Sequence, residues 1–154
     1  MKMTPKRILI ASHGTPGARA AEKAALALCP RGGTLSHLIV VPDFWKGMQG
    51  DDWLNNAATR DVFARYVEST LEGEVRAEVT RLSRLAASRG LRYRPTITLG
   101  DPTQCLIDRA AKGADLVVIG APRPRGRAGL RSRLDTEKLA RALKVPLMII
   151  PHPK

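Results

Sequence analysis

Five short strand-like segments constrain the fold of this chain more than any other feature. Four are apolar, the third alternates in polarity, and stretches of helical character separate them. The five segments cover residues 7–12, 35–41, 92–99, 115–120 and 145–150. Strands of a parallel sheet are buried on both faces, so they read as short continuous apolar runs, and each return crossing needs a helix. The alternation therefore predicts a parallel five-stranded sheet with helices on both faces and right-handed crossovers.

Helix signals fill most of the intervals between these segments. The predicted helices cover approximately residues 16–29, 57–88, 103–112 and 132–143. Thr15 can cap the first helix, whose first position would be Pro16. Ser132 and Asp135 stand three residues apart and predict a capping box at the start of the fourth helix. We expect one three-layer, doubly wound α/β domain over residues 1–154.

Three local features refine this prediction. Pro95 lies within 92–99 and cannot donate a backbone hydrogen bond, which favours an edge position for that strand. His37 lies inside the second strand and is interpreted as a packed or hydrogen-bonded histidine. Residues 43–56 form a long connection containing Trp45 and Trp53, either a lid over a ligand or a cover for the apolar end of the sheet.

The sequence predicts neither a membrane span nor a secretion signal. Its longest apolar runs, such as 116–119, are far shorter than the ~20 residues that cross a bilayer. The basic N-terminus is followed by an apolar run too short for a signal-peptide core. Hydrophobic residues at 44% and charged residues at 26% are typical of ordinary globular proteins and argue against disorder. We expect a cytoplasmic protein without membrane contact.

The chain is strongly basic, with 26 Lys and Arg against 14 Asp and Glu and a net charge of +12. One loop, with no acidic residue between Gly120 and Leu134, contains Arg123, Arg125, Arg127, Arg131 and Arg133. Guanidinium groups bind phosphate or carboxylate through paired hydrogen bonds. The loop is predicted at the carboxyl end of a parallel strand, where such sheets bind ligands. It is therefore either an anion site or a solvated basic loop beside an already capped helix.

No pattern typical of an enzyme or a metal protein is present. The sequence contains neither a dinucleotide-binding glycine fingerprint nor a P-loop. His13, His37 and His152 are scattered and form no metal-binding pair. Cys29 and Cys105 lack metal-ligand spacing and are interpreted as small buried apolar residues. We predict no catalytic residue and no metal ligand.

Three stretches of this sequence, in order and at matching spacing, resemble the universal stress protein family. They are 8–15, a strand and its turn; 100–120, a Gly-Asp-Pro turn, a helix and an apolar strand; and 137–150, the closing helix and strand. The resemblance covers essentially the whole chain. It implies the strand order 3-2-1-4-5, a non-catalytic role in survival under stress through binding nucleotides or protein partners, and a homodimer formed through the last strand.

The ATP-binding motif of that family is only partly present. The motif places Gly, two residues, Gly, nine residues, Gly and then Ser or Thr. Gly120 matches the first glycine, but Arg123, Arg133 and Leu134 replace the two later glycines and the hydroxyl residue. His13 replaces the family's aspartate at the end of strand one. Glycine lets a phosphate approach backbone N–H groups closely, and arginine removes that cradle. We therefore expect no bound ATP of the usual family type and predict no cofactor.

The candidate ligand pocket combines the carboxyl ends of the strands with the arginine loop. Its predicted residues are His13, Gly14, Thr15, Val40, Val41, Gly100, Gly120, Arg123, Arg125, Arg127, Arg131 and Arg133. The predicted dimer contacts are Val145, Leu147, Met148, Ile149 and Ile150. Two alternatives to a regulatory protein without ATP remain open. One is nucleotide binding with arginines 123–133 on the phosphates, and the other is a basic adaptor for an anionic ligand, nucleic acid or an acidic protein.

Overall fold

The structure, a computed structural model, describes residues 5–11, 16–41, 73, 75–99, 101–121 and 134–151. Among these residues five strands form one parallel sheet: β1 (Arg7–Ala11), β2 (Thr34–Val41), β3 (Arg92–Leu99), β4 (Leu116–Gly120) and β5 (Leu147–Ile150). The strand order is β3-β2-β1-β4-β5, with every neighbouring pair parallel. This order confirms the fold class and the topology that the sequence predicts.

Four helices connect the strands. Their described ranges are α1 (Pro16–Leu28), α2 (residues 75–88), α3 (Pro102–Ala110) and α4 (Thr136–Ala142). Residues 57–72, predicted as the first half of α2, lie outside the described residues, as does the connection that contains Trp45 and Trp53. Within the described part of the chain, no helix is long and apolar enough to cross a membrane.

The two faces of the sheet carry different helices because the crossovers change direction after β3. Right-handed connections that step one way from β1 to β3 put α1 and α2 on one face, and the return through β4 to β5 puts α3 and α4 on the other. Two apolar clusters match this division. The first includes Ile8, Leu35, Leu82 and Leu116, and the second includes Leu9, Leu38, Leu106 and Leu139. Neighbouring strand residues alternate between the clusters, as the period of two requires.

The start of α4 differs from the prediction. The helix begins at Thr136, and Asp135 is its N-cap, with extended dihedrals of φ −86° and ψ 99°. The Asp135 carboxylate accepts a hydrogen bond from the backbone N–H of Lys138, at 3.1 Å. The predicted capping box, with Asp135 as the third helical residue, is therefore wrong, since a carboxylate that reaches an N–H three residues ahead caps the helix from outside.

β3 lies at one edge of the sheet, as Pro95 predicts. Among the described strands it pairs only with β2, where Pro95 is opposite His37. His37 is 1% exposed, and its Nδ1 lies 2.6 Å from the Tyr93 hydroxyl. The interpretation of His37 as a hydrogen-bonded core residue is confirmed. This contact links β2 to β3 on the face covered by α1 and α2.

An ion-pair network joins α1 to α2 on the same face. The Arg81 guanidinium donates from Nη2 to Glu22 Oε2 at 2.5 Å and to Glu78 Oε2 at 2.6 Å. Glu22 is only 2% exposed, so its charge is almost fully removed from water. A buried carboxylate requires a nearby cation, and Arg81 supplies one from the neighbouring helix.

Candidate functional site

The topology itself identifies the place where this sheet offers a crevice. The chain moves from β1 towards β3 in one direction and from β4 to β5 in the other, so the order reverses between β1 and β4. Ligands of open α/β sheets bind at such a point, outside the carboxyl ends of the strands. Here those ends are Ala11 of β1 and Gly120 of β4, which belong to neighbouring strands. We call this side of the sheet the carboxyl edge.

Three predicted pocket residues lie in the described part of the carboxyl edge. Val40 and Val41 end β2, and Gly120 ends β4 opposite Ile150 of β5. Val40 is 2% exposed and packs into the second apolar cluster. Its side chain therefore faces the core rather than the crevice. Outside the described residues lie His13, Gly14, Thr15, Gly100, Arg123, Arg125, Arg127, Arg131 and Arg133, and their roles stay predictions.

Two helix N-termini open towards the carboxyl edge, and an aspartate caps each one. The Asp101 carboxylate accepts a hydrogen bond from the Gln104 N–H at 2.9 Å and caps α3. Asp135 caps α4 in the same way. A helix N-terminus has a partial positive charge and free N–H groups, which make it a site for anions. Here a carboxylate of the chain already occupies part of each N-terminus.

A partly buried hydrogen bond joins the starts of these two helices. The backbone N–H of Asp135 donates to Thr103 Oγ1 at 2.9 Å, and Thr103 is only 1% exposed. No local sequence pattern indicates this contact, because the two residues are 32 positions apart. The contact fixes the entry into α4 relative to α3.

Leu134 occupies a position that the ATP-binding motif assigns to a hydroxyl residue. Its partly buried side chain packs against the second apolar cluster, which also contains Leu9, Leu106 and Leu139. A hydroxyl at this position could donate to a phosphate, whereas an isobutyl group cannot and gains by leaving water. The chain thus uses this position to close the core under α3 and α4.

Cys29 does not resemble a reactive thiol, and no described cluster of side chains resembles a metal centre. In the described ranges, no group of three His, Cys, Asp or Glu residues could hold a metal ion. Cys29 follows the end of α1, and burial raises the pKa of its thiol. A thiol with a raised pKa is a poor nucleophile. Cys105 lies partly buried within α3.

Comparison with known proteins gives the same family along the chain. The sequence model of the Universal stress protein family matches residues 4–151. No curated protein sequence matches the chain. Among solved structures, the hypothetical protein MJ0577 superimposes with a TM-score of 0.72 at 16% identity, over 99% of both chains. The universal stress protein UspA from Lactobacillus plantarum has a TM-score of 0.69 at 19% identity, over 97% of this chain and 99% of its own.

Some similar structures were solved with a nucleotide. A universal stress protein family member from Arabidopsis thaliana with AMP bound has a TM-score of 0.57 at 15% identity, over 97% of this chain and 93% of its own. Others are complexes with cAMP, and with dAMP in a protein from Archaeoglobus fulgidus. At identities below 25%, these likenesses establish the fold of this chain and leave its ligand open.

Proposed function

The chain belongs to the universal stress protein family, and we propose that it is a non-catalytic, cytoplasmic regulatory protein that does not bind ATP in the family's usual manner. The proposal rests above all on one local arrangement. Leu134 packs into the core at the position of the motif's hydroxyl, and the next residue, Asp135, caps α4 with its carboxylate.

This arrangement works against a phosphate at the start of α4. A phosphate would need the N–H groups of the first helical turn, and the carboxylate of Asp135 accepts from one of them, that of Lys138. The same carboxylate is an anion, so it would repel a triphosphate placed beside it. In the sequence, Arg123 and Arg133 replace the two glycines that would let phosphate oxygens approach the main chain.

The non-catalytic assignment is supported by what the carboxylates at this edge already do. Asp101 and Asp135 each hold a helix N-terminus through a hydrogen bond of 2.9 and 3.1 Å. A general base has to reach the proton that it abstracts, and a carboxylate held as a helix cap is poorly placed for that task. The proposal therefore assigns binding, and no bond-breaking step, to the carboxyl edge.

Equilibrium dialysis with ATP and Mg²⁺ tests the proposal directly. We expect no saturable binding by the wild-type chain at millimolar ATP. The triple variant R123G/R133G/L134S restores the spacing and residue types of the motif and should bind ATP saturably in the same assay. Saturable wild-type binding that survives R123Q/R133Q would contradict the proposal, because the nucleotide would then be held as in the usual family site.

The second candidate function is nucleotide binding with arginines on the phosphates. It is favoured by the structures of the same fold that contain AMP, cAMP or dAMP and by the ability of guanidinium groups to hold phosphate in pairs of hydrogen bonds. In that case wild-type binding would be saturable and R123Q/R133Q would abolish it. A matched control, R89Q/R92Q, removes the same charge at the opposite end of the sheet and should leave this binding intact.

We also propose a homodimer formed through β5. Among the described strands, β5 pairs only with β4, so its second edge offers unpaired backbone groups. Ile149 is 43% exposed, and exposed apolar edge strands associate unless they are protected. Light scattering after size exclusion should give a dimer for wild type and a monomer for Ile149→Glu. Ile97→Glu, on the opposite edge strand and at a residue 57% exposed, is the control and should remain dimeric; a monomeric wild type would refute the proposal.

A further inference from the structure

The end of the sheet opposite the carboxyl edge carries a dense group of cations. We call it the amino edge and define it by the segments that lead into the five strands: residues 5–7, 29–34, 89–92, 111–115 and 143–146. Its exposed basic residues are Lys6, Arg7, Arg31, Arg89, Arg92, Lys112 and Lys144. Asp115 is the one acidic residue in these segments. The resulting charge of +6 is half of the chain's net +12.

Backbone hydrogen bonds join the segments of the amino edge into one surface. The Thr34 N–H donates to the Lys6 carbonyl at 2.7 Å, and the Arg92 N–H donates to the Gly33 carbonyl at 2.8 Å. On the other side of β1, the Asp115 N–H donates to the Arg7 carbonyl at 2.8 Å. Strands in a sheet are about 4.8 Å apart, so the five strand starts extend over about 19 Å. The cations are therefore distributed along one ordered edge.

Two of the arginines lie directly against glycines of neighbouring segments. A Cβ atom added at Gly90 would be 2.8 Å from Arg31 Cγ, and one added at Gly113 would be 2.7 Å from Arg7 Nη1. Any larger residue would displace these side chains. The glycines thus let the arginine side chains rest on backbone, which reduces the side-chain entropy that a bound anion would have to remove.

The negative ends of the helix dipoles offset only part of this positive charge. All four helices end at the amino edge, and each C-terminus carries about half a negative charge, or about −2 in total. That is a third of the +6 on the side chains. α3 and α4 already have a basic residue in their last turn, Arg109 and Arg141, neither of which belongs to the amino edge. An excess of positive charge remains that faces solvent.

We propose that the amino edge binds the phosphate backbone of double-stranded nucleic acid without sequence specificity. A length of about 19 Å matches about five to six base pairs at 3.4 Å each, and guanidinium groups suit phosphate geometry. Single strands are usually held by stacking on aromatic side chains, and the segments of the amino edge contain no Phe, Trp or Tyr. The described exposed large apolar residues, Leu28, Leu85, Ile97 and Ile149, all lie outside these segments, which disfavours insertion into a membrane surface.

Fluorescence anisotropy with a labelled mixed-sequence duplex of about 24 base pairs, titrated at several salt concentrations, tests this proposal. Seven cations, of which Arg7 is paired with Asp115 at 3.2 Å, leave six for phosphates. Each neutralised phosphate contributes about −0.9 to the slope of log K against log salt, so we expect a wild-type slope of about −5. The variant R92Q/K112Q/K144Q should lower the slope to about −3.

A matched variant separates the amino edge from the overall charge. K23Q/R84Q/K138Q also replaces one arginine and two lysines that are exposed, but on the helices away from this edge, and should keep a slope near −5. Equal losses in the two triple variants would overturn the proposal, as would the absence of duplex binding at about 50 mM salt. A third result would also overturn it: the protein binds vesicles containing phosphatidylserine, or polyglutamate, and R92Q/K112Q/K144Q weakens that binding, while the protein does not bind the duplex. Circular dichroism of all variants checks that they are folded.

Discussion

Replacing Arg81 tests whether the ion-pair network between α1 and α2 holds these helices together. Arg81→Met keeps the aliphatic stem of the side chain and removes its charge. The substitution leaves Glu22, which is 2% exposed, without the guanidinium at 2.5 Å. It also removes the second contact of Arg81, to Glu78 at 2.6 Å. The carboxylate of Glu22 would then stay buried without this guanidinium beside it.

The magnitude follows from the burial of the partners. Breaking a buried ion pair from one side costs about 3–5 kcal/mol, because the remaining charge stays desolvated. Arg81 is 34% exposed, so water screens part of the interaction, and we expect a loss at the lower end, about 3 kcal/mol. With an m-value of about 2 kcal/mol/M in urea, the unfolding midpoint should fall by about 1.5 M.

Urea unfolding followed by far-ultraviolet circular dichroism, at one fixed protein concentration, measures this shift. Arg141→Met is the matched control, since Arg141 pairs with Glu137 at 2.6 Å but both side chains are more than 70% exposed. Such an exposed pair contributes about 0.5 kcal/mol or less. Adding Glu22→Gln to Arg81→Met should recover a large part of the lost stability, because the buried charge is then removed.

Two results would refute this reasoning. Similar midpoint shifts for Arg81→Met and Arg141→Met would mean that burial does not distinguish the two ion pairs. A double variant with Glu22→Gln that is no more stable than Arg81→Met alone would mean that the charge of Glu22 is not the source of the loss.

Three further predictions concern other parts of the chain. Burial raises the pKa of the Tyr93 phenol, so the folded state keeps a proton that the unfolded chain loses above about pH 10, and stability should fall there. Tyr93→Phe should flatten the decline of the urea midpoint between about pH 9 and 11, and parallel midpoint curves for wild type and variant would contradict this. Although burial opposes it, hydrogen bonding to Arg7 holds the pKa of Asp115 below its ordinary value. The stability that Asp115 contributes is therefore present above about pH 4 and is lost as pH falls through the lower folded pKa. Asp115→Asn should lower the Tm at neutral pH, and the difference in Tm from wild type should shrink towards about pH 3, whereas a difference that does not depend on pH would contradict this. Thr103→Val removes the acceptor of the Asp135 N–H and should cost about 1–2 kcal/mol in thermal unfolding, while Thr103→Ser should cost less; equal losses would show that the hydroxyl is not what matters.

The sheet could be predicted almost completely because its signals are local. Apolar runs such as 116–119 report burial on both faces, and Pro95 alone indicates an edge strand. The strand order followed from the family resemblance, and the register then brings each strand start to the amino edge. The start of α4 is ambiguous in the sequence, since Asp135 fits either the third position of a capping box or an N-cap. In the structure Leu134 packs against the second apolar cluster and Asp135 is the N-cap.

The contacts between helices and the grouping of cations at the amino edge could not be predicted from local patterns. Thr103 meets Asp135 across 32 positions, and Arg81 meets Glu22 across 59. The cations of the amino edge are spread along the sequence from Lys6 to Lys144 and become one surface only when parallel strands align their starts. The arginine loop is predicted as an anion site because its charges are adjacent in sequence. Adjacency in sequence is weaker evidence for a binding site than adjacency in space.

The capping of α4 explains why an empty carboxyl edge would be stable in this chain. A helix N-terminus needs acceptors for its free N–H groups, and in a phosphate-binding site the ligand supplies some of them. Here Asp135 supplies one from its carboxylate, and Thr103 accepts the N–H of Asp135 itself. A ligand would therefore have to displace acceptors that the protein already provides, and its binding would gain correspondingly less. By this reasoning glycines at 123 and 133 alone should restore ATP binding only weakly, and Asp135→Asn, which keeps a capping acceptor but removes the negative charge, should strengthen binding by the R123G/R133G/L134S variant.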